Sequence, residues 1–126
     1  MKRCWFALIL LVALLLGSLW VTDYMADTHT PIAEAVGRAE EASLAGNWAD
    51  ARQELDSARA SWDGKRKMIA VFADHEPMEE IDGLFAQLEI YSRAGDNLST
   101  AAVCAELSQR LEAMGDAHKG SWWNLL

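Results

Sequence analysis

The stretch NWADARQELDSARASW, residues 47–62, decides the architecture of this chain. Trp48, Ala51, Leu55, Ala58 and Trp62 recur at steps of three and four residues, which aligns them along one side of an α-helix. Asp50, Arg52, Glu54, Asp56 and Arg59 fill the opposite side, the pattern of a helix half buried against partners. Asn47 is suited to cap its first turn. Gly64 offers a stop, but Trp62, Ile69 and Phe72 stay near one face, so the helix is expected to run on through the glycine at about 1 kcal/mol.

Working outward, the same period recurs on both sides. Upstream, Thr30-Pro31 reads as a helix start, a capping hydroxyl followed by proline at the first helical position. Ile32, Val36, Ala39 and Ser43 then share a face until Gly46. Downstream, Pro77 breaks and restarts the pattern, and Met78, Ile81, Phe85 and Leu88 form a stripe with Leu84 and Tyr91, ending at Gly95. Asp96 or Asn97 caps a fourth helix in which Val103, Leu107, Leu111 and Met114 face inward beside Cys104, with Gly115 as its expected end. The connections are short, so neighbouring helices should pack antiparallel. Ala45-Gly46-Asn47 and Ala94-Gly95-Asp96-Asn97 look alike and resemble the turn of a helical repeat, but two copies 49 residues apart are better read as two turns made by the same chemistry.

A second kind of segment precedes these helices. Trp5 to Val21 is an apolar run of 17 residues, broken only by Gly17 and Ser18 and preceded by Lys2 and Arg3. As a helix it is roughly 25 Å long at ~1.5 Å per residue, at the short end for crossing a bilayer. Its core, Phe6 to Leu16, also has the length of a signal-peptide apolar region. The candidate cleavage site after Ala26 puts Tyr24 where a small residue belongs, so an uncleaved anchor is the preferred reading over a cleaved signal. Trp5 and Trp20 fall at the two ends, where indoles favour the headgroup level, and Lys2 and Arg3 hold the N-terminus in the cytoplasm. Residues 1–26 thus form a cytoplasmic stub and anchor, and residues 27–126 an extracytoplasmic helical domain.

Net charge is −8 over 126 residues. Of 19 acids only Asp23, and of 11 bases only Lys2 and Arg3, precede Asp27, so the exported part carries the excess. An acidic surface of this kind repels phosphate backbones, which excludes nucleic acid as a partner and disfavours anionic headgroups. Lys65-Arg66-Lys67 interrupts the acidity and reads as a solvated face or a seat for an acidic partner. Cys4 and Cys104 fall on opposite sides of a spanned membrane and do not pair within one chain, and Cys104 reads as a small apolar residue on its helix.

The densest ionisable group is His75, Glu76, Glu79, Glu80 and Asp82, next to Asp74. On a helix His75 and Glu79 share a face, as do Glu76 and Glu80, which is ligand spacing for a cation. Pro77 interrupts that geometry, and neither a zinc-protease motif nor the glutamate–histidine pairs of a di-iron bundle occur. A cation site using His75, Glu76, Glu79 and Asp82 is therefore the alternative reading, and a solvated junction the main one. The chain has no nucleophile elbow, phosphate loop or dinucleotide fingerprint, and His29 and His118 have no suitable partners nearby in sequence. No enzymatic activity and no cofactor are expected. Ser121-Trp122-Trp123-Asn124-Leu125-Leu126 is apolar, either folded back over the bundle or offered to a membrane or partner, with Trp122 and Trp123 as the candidate surface.

Gly46-Asn47-Trp48, Ala51, Leu55 and Trp62, then His75, Ile81-Asp82 and Leu88, and finally Asn124-Leu125-Leu126, together resemble the family of unknown function numbered 4363. The resemblance covers most of the chain. It implies a small protein with one N-terminal hydrophobic segment, of a kind found mainly in spore-forming Gram-positive anaerobes, and it marks His75 and Asp82 as motif positions without giving them a role. The departures are the Glu76-Pro77 junction and the double tryptophan. The resulting expectation is an all-α protein, one transmembrane helix followed by an antiparallel bundle of about four helices. It would sit in the cell membrane through residues 5–21 and serve as a non-catalytic interaction or accessory module for a membrane protein partner. The sequence leaves the oligomeric state open.

Overall fold

The computed structural model describes residues 2–72 and 75–120. Four helices account for nearly all of them: α1 (Lys2–Leu44), α2 (Trp48–Phe72), α3 (His75–Ala94) and α4 (Asn97–Gly120). The described residues contain no strand. Each helix packs on its sequence neighbours and α4 closes against α1, which makes the most extensive interface, while α2 and α3 share the thinnest. The result is an up-down-up-down bundle carried on an apolar helix.

Two boundaries differ from the sequence reading. No helix starts at Thr30-Pro31: α1 is continuous for 43 residues, so the apolar segment and the first bundle helix are one rod. Pro31 removes a single backbone donor, and one turn earlier the Thr28 hydroxyl donates to the Tyr24 carbonyl at 2.6 Å, the back-bond of a hydroxyl inside a helix. Likewise α4 does not stop at Gly115 but continues to Gly120. Gly115 is buried there beside His29; a Cβ at that position would meet the His29 ring at 3.9 Å, an ordinary contact distance, so the site is helical and has room for a small side chain.

The other boundaries follow the sequence. Gly64 lies inside α2, and Pro77 sits in the first turn of α3, where its missing N–H has no intrahelical acceptor to lose. Gly46 and Gly95 adopt φ of +74° and +69°. At the first turn the Asn47 N–H donates to Ala42 O at 2.9 Å and the Gly46 N–H to Ser43 O at 3.0 Å; at the second, Asp96 donates to Tyr91 O at 3.2 Å and Gly95 to Ser92 O at 3.4 Å. Both are Schellman endings, which need a left-handed residue that glycine supplies without a Cβ clash. Asp96 is the cap of α4, accepting from the Ser99 N–H at 3.0 Å and the Ser99 hydroxyl at 2.6 Å. The likeness of the two turns is thus one hydrogen-bonded solution used twice.

The core gathers the stripes. Ile32, Val36 and Ala39 of α1, Leu55, Ala58, Trp62 and Ile69 of α2, Met78, Ile81, Phe85 and Leu88 of α3, and Val103, Cys104, Leu107, Leu111 and Met114 of α4 form one buried cluster. Val21 packs against its edge, so the core begins where the apolar run ends. The buried hydroxyls of Ser43 and Ser92 donate to their own helices, to Glu40 O and Glu89 O. Trp48 is half-buried and Met68 is exposed. Ion pairs join successive helices outside: Arg38–Glu54 at 2.9 Å, Arg66–Asp82 at 2.8 Å and Arg110–Glu80 at 2.6 Å. Exposed pairs of this kind contribute about 0–1 kcal/mol each and mainly fix register.

Candidate functional site

The first candidate is the outer half of α1. Cys4–Val21 is an apolar helical stretch of 18 residues, and none of it is buried within the protein. Leucines, isoleucine and phenylalanine face outward on every side, a surface suited to hydrocarbon and not to water. By length and composition it can cross a bilayer, as an anchor or as a signal sequence. Trp5 and Trp20 are exposed near its two ends, and Trp20 stacks on Tyr24 with ring centroids 5.6 Å apart, building an aromatic step at the end nearer the bundle. Lys2 and Arg3 begin the helix, and their side chains lie outside the described residues.

The second candidate is the group of side chains around the buried Trp62. Trp62 is fully buried, and its indole Nε1 donates to Asp82 Oδ1 at 2.8 Å. Asp82 Oδ2 receives Arg66 at 2.8 Å, and Arg59 stands 3.9 Å from Oδ1. The indole also meets His29, with ring centroids 6.5 Å apart and planes tilted by 39°. His29 is 2 % exposed and also lies against Gly115. A line of side chains therefore runs from His29 of α1 through Trp62 of α2 to Asp82 of α3. Arg59 adds a cation–π contact, its guanidinium 5.3 Å from the Phe85 ring centre.

Of the residues proposed as cation ligands, His75, Glu76 and Glu79 lie exposed in the first turns of α3. Asp82 is half-buried and engaged by Trp62, Arg66 and Arg59. Among the described residues no three His, Cys, Asp or Glu side chains come together to hold a metal ion. Asp74, the His118 side chain, Trp122 and Trp123 lie outside the described residues. Cys104 is buried, and burial, with Glu40 nearby, pushes its thiol up to about 12. It is held as the neutral, unreactive form, in keeping with an apolar role on its helix.

Two shallow cavities flank the bundle. One of about 550 Å³ lies between α1 and α4 and is lined by His29, Glu34, Ser108, Glu112 and Asp116. The other, about 430 Å³, lies between α2 and α3. Its arginines are engaged: Arg52 with Ser92 O at 3.2 Å, Arg59 with Asp63 at 3.1 Å and Arg93 with Glu89 at 2.6 Å.

The burial of His29 was missed by the sequence reading. It sits three residues before Ile32 and seven before Val36, on the same stripe, but the helix start assigned to Thr30 cut it off.

The fold and its exposed apolar helix define a class, a small helical bundle continuous with a possible membrane-crossing segment. Within that class, residues 19–125 match the family described as Domain of unknown function (DUF4363), and the chain belongs to it. No curated protein and no solved structure matches the chain.

Proposed function

We propose that this chain is a single-pass membrane protein whose bundle, outside the cytoplasm, is a non-catalytic interaction or accessory module for a membrane protein partner. The observation that carries this reading is the continuity of α1: the exposed apolar stretch passes into the bundle core without a loop. A rigid junction holds the bundle at a set height and orientation, and confinement to the membrane raises its effective concentration toward a partner there. Lys2 and Arg3 before the apolar stretch favour a cytoplasmic N-terminus, and Asp23 and Asp27 lie on the other side. The uncleaved reading draws on Tyr24 at the would-be cleavage site, and in the structure Tyr24 stacks on Trp20 inside an unbroken helix.

The experiment is photocrosslinking in intact membranes from Leu98 and Ile90, which are 77 % and 66 % exposed in the bundle. One discrete adduct with a membrane protein is expected. Labelling with no discrete adduct, from either position, counts against the partner.

A further inference from the structure

We propose that the bundle end nearest the anchor rests on the bilayer, with the α2 edge formed by Lys67, Met68 and Val71 dipping into the headgroup layer beside the point where α1 leaves the membrane. The proposal rests on the anchor reading above and adds to it the pose of the bundle and the lipid surface as its second ligand.

The geometry comes from residue counts along two antiparallel helices. From Leu44, 23 residues back along α1 lead to Val21, the last residue of the apolar stretch. From Trp48, 23 residues forward along α2 lead to Val71. Each path is roughly 35 Å at ~1.5 Å per residue, so Val71 stands level with Val21 and the Trp20–Tyr24 aromatic step. The bundle core reaches that level too, since Val21 packs on it.

At this height α2 presents an apolar edge to the outside. Val71 is 71 % exposed and Met68 48 %, and their spacing of three residues puts them on one face. Lys67, exposed and four residues before Val71, shares that face, and half-buried Lys65 lies one turn away. Arg66 is engaged by Asp82. Apolar side chains flanked by lysines suit a headgroup boundary, where the chains enter hydrocarbon and the ammonium groups reach lipid phosphates. The exposed acids at this end, Asp23 and Asp27 of α1, Glu76 and Glu79 of α3 and Asp116 of α4, lie on the other three helices, so the α2 edge is the locally basic one in an acidic domain. The overall charge argues against lipid contact by the bundle as a whole; the placement of Lys65 and Lys67 permits it at this edge alone.

The test uses the full chain with Cys4 replaced by serine, reconstituted into vesicles of phosphatidylcholine and phosphatidylglycerol. An environment-sensitive fluorophore is attached at Val71→Cys, at Leu98→Cys near the far turn, or at Leu11→Cys within the apolar stretch, and nitroxide carried on the lipid acyl chains reports depth. All three side chains are exposed, so each label replaces one that packs on little. The expected result is blue-shifted, strongly quenched emission at positions 71 and 11 and water-like, unquenched emission at 98. Quenching at 11 with water-like emission at 71 overturns the docked pose while the anchor stands. Quenching at 71 and 98 alike overturns the end-on pose, because the bundle would then lie along the surface. Absence of quenching at 11 overturns the anchor and the pose together.

Discussion

The indole N–H of Trp62 and the carboxylate of Asp82 are joined by a 2.8 Å hydrogen bond that ties the buried centre of α2 to the flank of α3. The ring fills the core, and its polar edge needs an acceptor that no apolar neighbour supplies. Asp82 meets that need and is itself held by Arg66. Where α2 and α3 share the thinnest packing, this directional bond sets how they face each other.

Trp62→Phe keeps most of the packing and removes the donor, and a loss of about 1–2 kcal/mol in unfolding free energy is expected by urea titration of the full chain in detergent. Asp82→Asn retains an acceptor for the indole and gives up the pair with Arg66, so it should fall below Trp62→Ala, for which about 3–5 kcal/mol is expected. A double-mutant cycle between positions 62 and 82 should show coupling; strict additivity would remove the bond as a stabilising link.

The two turns make a separate prediction. Gly46→Ala and Gly95→Ala place a Cβ at positive φ and should each destabilise by about 1 kcal/mol, whereas Gly64→Ala, in the middle of α2 with open space around it, should stabilise by up to about 1 kcal/mol. Thermal melts of the three variants check the opposite signs.

Cys104 gives a pH dependence. Its folded-state value of about 12 lies above the ordinary thiol value of 9.0, so the folded chain keeps a proton that the unfolded chain releases. The associated stability is fully present below pH 9.0 and is lost as pH rises toward about 12. Cys104→Ala should flatten that alkaline decline while costing some packing, and a native chain should resist thiol reagents at Cys104 until it unfolds. At the acid end, the Ser99 hydrogen bonds hold Asp96 below its usual range, so its contribution is present above 3.8 and is lost as pH falls through the lower folded value. Asp96→Ala should weaken that acid-side slope.

Most of the bundle was legible because its stripes are nearly uninterrupted. Ile32, Val36 and Ala39, then Leu55, Ala58 and Trp62, are apolar at helical spacing, and all are buried. Gly46 and Gly95 were legible as turns because a helix ending in a left-handed residue favours glycine. Pro31 and Gly115 misled for a shared reason: both residue types weaken a helix locally, and tertiary packing along α1 and α4 outweighs that. The Trp62–Asp82 bond was visible only as two members of a spaced pattern 20 residues apart, since a partner across helices leaves no local period. The same holds for Val71, which looks like an ordinary apolar residue until the antiparallel turn sets it beside Val21.

The anchor itself is the central claim, and fractionation of cells expressing the full chain tests it most directly. Membranes are washed with alkaline carbonate, and the retained protein is read by intact-mass spectrometry. The expected result is a chain of full length that stays in the membrane pellet with residues 1–26 attached. A chain released into the supernatant with its mass cut back past the apolar stretch would contradict the anchor.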